Sequence, residues 1–290
     1  MSVSRITVTL CFAAGLGAVL AAVAAASALG SAGAPALTAA QRAQVQQVNF
    51  VSSCRFSHSS NDDPIVFPGQ AGRSHHHSFV GNRTTNAFST LDSLLAGEST
   101  CDRKGHTAAY WIPSLIVNGT PVMPLGSTIY YRRRTLEPVR AFPQDFRMIA
   151  GDSLATAPQD RGVTFWNCGV EGGVAPSSTV PTCPDGRRTS LRLHVTFPAC
   201  WDGRSLDSAD HRSHVRYADR GRCPATHPVA VPAITVIYRY PAIPGGSSVA
   251  LASGGQFSGH ADFVNAWHPG RLQGLVSSCL NALRHCGRGN

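Results

Sequence analysis

The sequence predicts a mainly β protein: a single disulfide-tied domain of the β-sandwich or jelly-roll type, with long loops and one C-terminal helix. Three observations support this fold class. The apolar runs are short and rich in Val, Ile, Thr and aromatic residues, which favour strands. The 28 glycines and 19 prolines divide these runs at frequent intervals, as turns between strands do. Apolar residues with helical spacing are confined to the end of the chain.

Residues 1–34 have the character of a secretory signal followed by a leader of small residues. A single positive charge, Arg5, precedes an uncharged apolar run over residues 6–26, and two A-x-A patterns follow. A membrane anchor is the alternative, because about 20 apolar residues can span a bilayer. Ala and Thr make the run only weakly hydrophobic, and no cluster of positive charges follows it. We therefore expect a secreted, extracellular protein.

The rest of the chain divides into a linker with a short helix over residues 35–49 and one domain over residues 50–290. In the run LRLHVTF, alternation places Leu193 and Val195 on one face and His194 on the other, so we expect His194 to be exposed. The runs that predict strands are SLIVNG, STIYYRR, GVTFWNC, LRLHVTF and AITVIYRY. The stripe that predicts the C-terminal helix is Leu272, Leu275, Val276, Cys279, Leu280 and Leu283.

Eight cysteines follow the signal region, and an even number is typical of a disulfide framework formed in an oxidising compartment. Eight cysteines allow many connectivities, but their order along the chain favours bridges between neighbours. A cysteine zinc site is less favoured, because no two cysteines form a C-x-x-C pair. The predicted bridges are Cys54–Cys101, Cys168–Cys183, Cys200–Cys223 and Cys279–Cys286.

The net charge of +9 bears on possible partners, and Lys104 is the only lysine among the 25 basic residues. A positive surface favours acidic polymers such as uronate polysaccharides, teichoic acids or nucleic acid. The run YYRRRT combines basic and aromatic residues as nucleic-acid contacts do, but a solvated strand end explains it more simply. Neither a Walker loop nor a Rossmann fingerprint is present, so we expect no nucleotide. We also expect a monomer.

Histidine and aspartate collect in three Gly/Pro-rich stretches: DDPIVFPGQAGRSHHHSFVGN, CWDGRSLDSADHRSH and SGGQFSGHADFVNAW. In the first, an extended HHH would place two imidazoles on one face and His76 on the other. In the second, two histidines would share a face if DHRSH were helical. Because functional groups concentrate in loops on a β scaffold, we expect the three stretches to meet in one cleft. The side chains predicted to meet are His75, His77, His211, His214, His260 and Asp262.

The order of motifs resembles the family of secreted bacterial and fungal domains of unknown function numbered nineteen ninety-six. The resemblance is carried from Phe50 to Cys286 by DPIVFPG, SHHHSFVGN, AAYWIPSL, YYRRR, FPQDFRMIAGDS, CWDGRSLDSADHRSH, HPVAVPAI and SGHADFVNAW. It implies a setting, since fungal members often accompany WSC modules that are associated with wall glycans, but it implies no established activity. His106 and His268 stand where the family commonly has acidic residues. The residues that match the family's motifs are His75, His77, Tyr110, Trp111, Trp201, Asp202, Asp207, His211, His214, Tyr217, His260, Asp262 and Trp267.

The first functional hypothesis is action on an extracellular or cell-wall polysaccharide, by hydrolysis or by elimination. Hydrolysis needs two carboxyl groups that flank the bond, and Asp202, Asp207 and Asp262 are the candidates. Elimination needs a base such as His211, His214 or Tyr217, with a cation such as Arg216 to stabilise the developing charge. His260 completes the catalytic candidates. The residues expected to bind the sugar are Tyr110, Trp111, Trp201, Trp267 and Arg216.

Two further hypotheses remain open. The histidines and Asp262 could bind a divalent metal, Zn or Cu, with His75 and His77 as the first ligand pair, although H-E-x-x-H is absent. Alternatively, the chain is a non-catalytic wall-binding module in which His–Asp pairs brace loops. A serine nucleophile is not supported, because G-x-S-x-G is absent. The sequence thus leaves open whether the protein is an enzyme and predicts no certain cofactor.

Overall fold

The computed structural model describes residues 38–169, 174–184 and 190–288. The predicted signal or anchor therefore lies outside the described residues. Three short helices occur among the described residues: α1 Ala39–Gln47, α2 Leu91–Ala96 and α3 Arg271–Leu275, the last continuing as a π-helical turn over Val276–Asn281. The strands of the described part of the chain are β1 Asn49–Cys54, β2 Phe56–Ser60, β3 His77–Gly81, β4 Ala109–Pro113, β5 Leu115–Val117, β6 Thr120–Val122, β7 Gly126–Arg132, β8 Arg147–Gly151, β9 Thr164–Asn167, β10 Arg192–Thr196, β11 Cys200–Trp201, β12 Val215–Arg216, β13 Val229–Ala230, β14 Ala233–Arg239, β15 Val249–Leu251, β16 His260–Val264 and β17 Cys286–Arg288.

Two large sheets dominate the fold, which confirms the prediction of a mainly β protein with a C-terminal helix. One has the order β17-β1-β7-β14-β10-β9 and the other β2-β3-β4-β16-β8, among the described strands. Their inner faces share one hydrophobic core. Phe50 and Tyr131 of the first sheet stack at 4.7 Å, and the Tyr131 hydroxyl is hydrogen-bonded to that of Tyr110 in the second. All five runs that predict strands contain strands.

The outer face of the five-stranded sheet carries a second, smaller apolar cluster that includes Phe79, Trp111 and Ile149. Strand alternation explains it, because Tyr110 and Ile112 point into the main core while Trp111 between them points outward. The loop over residues 61–76 and helix α2 cover this outer face, contributing Ile65 and Leu94 to the cluster. Polar side chains at the end of the same face are therefore buried as well.

The predicted disulfide framework is present as Cys54–Cys101, Cys168–Cys183, Cys200–Cys223 and Cys279–Cys286. Cys279 lies on the buried side of the C-terminal helix together with Leu272, Val276 and Leu280, as the apolar stripe predicts. In the part of the chain that is described, no helix has both the length and the apolar composition needed to cross a membrane.

The burial of His194 contradicts the expectation that this residue is exposed. It points away from the main core, as alternation predicts, but it is buried rather than exposed. Its ring stacks on Phe165 of the neighbouring strand with centroids 4.2 Å apart, and its Nε2 donates to Asn167 Oδ1 at 3.0 Å. Alternation predicts which face a side chain lies on, but not whether other residues cover that face.

Candidate metal centre

A cluster of three histidines and two aspartates lies at the end of the outer face of the five-stranded sheet. His77 begins β3, while His260 and Asp262 lie two residues apart on β16. Strand β4 runs between them, pairing His77 with Pro113 on one side and Asp262 with Trp111 on the other. The sheet register therefore fixes these three side chains on one face. The expectation that they lie in loops is wrong, because His77, His260 and Asp262 belong to strands.

The covering loop supplies the other two members of the cluster, Asp63 and His75. Asp63 is held by its own turn, in which Oδ1 accepts hydrogen bonds from the backbone N–H groups of Ile65 and Val66. His75 lies two residues before His77 on extended chain, and their ring centroids are 4.2 Å apart. His76 points the other way and is hydrogen-bonded to Ser114 at 2.8 Å. The prediction that HHH separates into two faces is confirmed.

The five side chains form two overlapping groups of ligand atoms. In each group, one atom from every residue lies within 4.8 Å of the others. His77 belongs to both groups, so the cluster is continuous. Only His75 is partly exposed, which makes its side of the cluster the accessible one. The first group is His75, His77 and His260, and the second is Asp63, His77 and Asp262.

Backbone carbonyl groups select the ring tautomers of two of these histidines. His77 Nδ1 donates to the carbonyl oxygen of Asp62 at 3.0 Å, and His260 Nδ1 donates to that of Ser258 at 2.9 Å. Each Nε2 therefore carries a lone pair. This arrangement, an N–H donated to a carbonyl and a free nitrogen on the other side of the ring, is typical of metal-ligating histidine.

Several polar atoms of the cluster are buried without a hydrogen-bond partner among the described residues. They are Nε2 of His75, Nε2 of His77 and both carboxylate oxygens of Asp262. Asp262 is only 1 % exposed, and its nearest basic atom, Nε2 of His260, is 4.0 Å from Oδ2. Leaving a buried polar group unpaired costs about 1–3 kcal/mol, so such a concentration calls for a physical explanation.

Burial sets the protonation states. It lowers the pKa of His260 to about 3 and that of His75 to about 4, and it lowers the pKa of His77 well below the ordinary value. Burial also raises the pKa of Asp262 well above its usual range, and the neighbouring charge of Asp63 adds to the effect. The imidazoles are therefore neutral at pH 7, which is the form that binds a metal.

The second predicted stretch forms a wall beside the cluster instead of entering it. The backbone carbonyl of His211 accepts from Ile149 of β8, the strand that pairs with β16. The His211 ring is held by Asp207, with 2.9 Å from Nδ1 to Oδ2. The Arg212 guanidinium donates to the carbonyl oxygen of Gly151, which pairs with His260 in the sheet, so a positive charge lies beside the cluster. The stretch is not helical, since His211 has a left-handed φ of 56°.

His214 and Asp202 lie outside the cluster, and hydrogen bonds within the protein occupy their polar groups. His214 is buried, and its two ring nitrogens are hydrogen-bonded to Ser208 Oγ and to the carbonyl oxygen of Arg147. Asp202 accepts hydrogen bonds from the backbone of Arg204 and Ser205 and from the Ser205 hydroxyl, so its carboxylate closes its own turn. Of the six side chains predicted to share a cleft, His75, His77, His260 and Asp262 meet in the cluster, and His211 lies in its wall.

The aromatic residues predicted to stack on sugars are in the core. Trp111 and Trp267 are fully buried, as is Tyr110, and Trp201 is buried with its indole N–H donating to the carbonyl oxygen of Ser205. Trp267 stacks at 3.9 Å on His106, whose ring nitrogens are hydrogen-bonded to Ser52 and Tyr110. His106 is therefore part of a buried hydrogen-bond network.

The remaining two candidates lie on the surface, away from the strands that carry the cluster. Arg216 is exposed, and its guanidinium donates to the neighbouring carbonyl of Val215. Tyr217 is half exposed, and its hydroxyl donates to the carbonyl oxygen of Thr196. This tyrosine borders a separate cleft on the six-stranded sheet.

Comparison with known proteins identifies the family. The family model described as Domain of unknown function (DUF1996) matches residues 63–267, well over half of the chain. The chain belongs to this family. No curated protein and no solved structure matches it significantly. The match is shorter than the span from Phe50 to Cys286 over which the sequence motifs suggest the resemblance.

The DUF1996 match begins at Asp63, the one member of the cluster that sequence reasoning did not single out. Two adjacent aspartates before a proline are typical of a turn, so the local pattern does not indicate that either carboxylate enters a cluster. In the folded DUF1996 domain, Asp62 holds His77 through its carbonyl oxygen while Asp63 points its carboxylate into the cluster. A usable signal was the position of Asp63 in the same loop as HHH.

Proposed function

We propose that this DUF1996 protein binds a divalent transition-metal ion, Zn²⁺ or Cu²⁺, through His75, His77 and His260 with Asp262 and Asp63. The observation that carries the proposal is the set of buried, unpartnered atoms that converge in one place: two imidazole nitrogens and both oxygens of Asp262. A cation would satisfy these atoms together, which hydrogen bonds within the cluster do not.

The donor set fits the proposed ions. Neutral imidazole and carboxylate are ligands of Zn²⁺, and imidazole also suits Cu²⁺. The ion's positive charge would offset the cost of burying carboxylates, which otherwise drives Asp262 toward its protonated form. The eight cysteines form disulfides, so no thiolate competes as a ligand in the described part of the chain.

Hydrolysis assisted by the metal is the reaction that the surroundings favour. A bound ion supplies a Lewis acid and a more acidic water molecule. His211, oriented by Asp207, would accept a proton beside the cluster, and its position in the wall supports that role. An extracellular glycan remains our proposed substrate, although the tryptophans are buried and therefore do not stack on its sugar rings. The four disulfides support the proposal that the protein acts outside the cytosol.

The test is metal content and affinity in a set of single variants. The exported protein is freed of metal with a chelator, titrated with Zn²⁺ and with Cu²⁺ by calorimetry, and analysed for metal by mass spectrometry. We expect one ion per chain, and a loss of binding of at least about tenfold in His77→Ala and Asp262→Asn, as ligand loss entails.

His76→Ala is the matched control, because it removes an imidazole from the same tripeptide but from the opposite face. It should retain full affinity. Equal weakening by His76→Ala and His77→Ala, or stoichiometric binding that survives Asp262→Asn and His77→Ala, contradicts the proposed centre.

A further inference from the structure

A second concave site lies on the outer face of the six-stranded sheet. It is a cleft of about 620 Å³, within the range of small-ligand sites. Its floor is the strand surface that includes Phe165, His194 and Thr235, and Tyr217 forms part of one wall. The site shares no residue with the metal cluster.

Three arginines line this cleft, Arg132, Arg134 and Arg161. Arg132 ends β7 and lies over the Tyr130 ring, 4.3 Å from its centroid. Arg134 follows it after one residue, and Arg161 comes from the loop before β9 on the opposite side of the floor. The run YYRRR, which a solvated strand end explains more simply in the sequence, therefore supplies two cations to one concavity.

No carboxylate of a described residue forms an ion pair with any of these three arginines. The nearby Asp160 is engaged in its own turn, where Oδ1 accepts from the Gly162 backbone at 2.8 Å. Burial and the like charge of Arg134 lower the pKa of Arg132. Neighbouring positive charges in one partly desolvated cleft repel each other, so an anion would be favoured there.

The positive surface continues along the same sheet face. Arg192 and Arg239 are directly paired across β10 and β14, and the Nε atom of each is buried without a partner among the described residues. Burial lowers the pKa of His194, and the charges of Arg192 and Arg132 add to the effect. A polymer that extends beyond the cleft would thus meet further guanidinium groups.

We propose that this cleft binds an acidic saccharide, with the carboxylate or sulfate groups of the sugar held by Arg132, Arg134 and Arg161. Guanidinium groups bind such anions through paired N–H donors. The hydroxyl groups of Thr196 and Thr235, which are hydrogen-bonded to each other at 3.2 Å on the floor, suit a ligand rich in hydroxyls. Nucleic acid fits less well, because bases bind by stacking on free aromatic faces and the Phe165 ring on the floor is already stacked on His194.

The proposal goes beyond the metal centre and does not depend on it. The probes are a galacturonate tetrasaccharide, which carries carboxylates, and a heparin-derived tetrasaccharide, which carries sulfates. Cellotetraose serves as the neutral sugar, and a single-stranded oligonucleotide represents nucleic acid. Calorimetry on the full exported chain measures affinity at low and at physiological salt.

We expect at least one acidic tetrasaccharide to bind about tenfold more tightly than cellotetraose, with an affinity that falls as salt rises. The carboxylate and sulfate probes distinguish which anion is preferred. Arg134→Gln and Arg161→Gln, on the exposed rim, should each weaken binding about fivefold or more. Arg132→Lys keeps the charge of the half-buried residue but loses its paired donors, so it should weaken binding without unfolding.

Arg140→Gln is the matched control, since Arg140 is exposed and outside the cleft. It should change affinity less than twofold. Three results overturn the proposal: cellotetraose binds as tightly as the acidic sugars, the oligonucleotide binds more tightly through the same arginines, or the rim variants bind as well as Arg140→Gln.

Discussion

Asp262→Asn should change stability in opposite directions with and without metal. In the metal-free protein, both oxygens of Asp262 are buried and unpartnered, and burial raises its pKa well above the ordinary value. A raised carboxyl pKa means that folding is favoured at low pH, below the unfolded value, and that this contribution is lost as pH rises toward the folded value. At pH 7 the metal-free wild type therefore carries a cost that a neutral amide of the same shape does not.

The metal sets the size of the expected shift. A neutral amide has no ionisation cost at this buried position, so the metal-free variant should be more stable than the metal-free wild type at pH 7. Metal at about one hundred times its dissociation constant stabilises the wild type by about 2.7 kcal/mol. For a domain of this size, 1 kcal/mol corresponds to about 2–4 °C in Tm. The wild type should therefore gain roughly 5–11 °C on metal addition, and Asp262→Asn should gain little or nothing.

Thermal unfolding by circular dichroism, with chelator and with Zn²⁺, measures both effects in four curves. Asp202→Asn is the control, since that carboxylate closes a turn outside the cluster, and it should leave the metal-induced shift unchanged. If Asp262→Asn lowers Tm in chelator, the carboxylate has a stabilising partner in the metal-free state, and our account of the unpaired atoms is wrong.

Three further predictions concern positions in or beside the two sites. Gly151→Ala should weaken metal binding and destabilise the fold by at least about 2 kcal/mol, because a Cβ there would lie 2.3 Å from the carbonyl oxygen of Gly259, next to His260. Gly72→Ala is the control: Gly72 also has a positive φ but lies in open space, so the variant should cost only a backbone strain of about 1–2 kcal/mol. Burial lowers the pKa of His194 to about 3, so its contribution to folding stability is complete above about pH 6.5 and is lost as pH falls. His194→Gln should therefore make stability decline less steeply between pH 6.5 and 4, by up to about 1.4 kcal/mol per pH unit in urea unfolding. An unchanged slope contradicts this prediction. Arg212→Gln should strengthen Zn²⁺ binding a few-fold in calorimetry, because it removes a positive charge beside the cluster. Unchanged or weaker Zn²⁺ binding contradicts this.

The parts of the fold that could be predicted depend on local signals. Short β-branched runs such as AITVIYRY specify strands through side-chain shape, and the apolar stripe from Leu272 to Leu280 specifies a helix through its period. The disulfides were predictable from chain order because each joins cysteines that are consecutive after the signal region. Local sequence patterns do not predict that β4 pairs with both β3 and β16. This pairing brings His77 and Asp262 together.

The errors at the site have physical causes of the same kind. Motifs rich in His, Asp and Trp suggest exposed chemistry, but a ring as large as Trp111 or Trp267 is most easily accommodated in a core. His214 matches the motif as well as His211 does, and only the tertiary contact with the carbonyl of Arg147 makes it a brace. Asp63 was missed because its carboxylate enters the cluster through the folding of a whole loop over the sheet.

The position of Arg212 connects the two proposed sites. Burial lowers the pKa of His260, and the charge of Arg212 adds to that effect. Burial raises the pKa values of Asp262 in the cluster and of Tyr217 at the edge of the arginine cleft, and the charge of Arg212 opposes both increases. Its guanidinium donates to the carbonyl of Gly151, which pairs with His260 in the sheet. The positive charge of Arg212 repels a metal ion in the cluster and attracts an anion. Arg212 should therefore weaken metal binding while it favours binding of an acidic sugar. An acidic saccharide that reached Arg212 would neutralise that opposition, and by linkage a bound metal would in turn tighten the sugar. The two sites would then act as parts of one surface, in which the arginines hold the polymer and the metal centre acts on it.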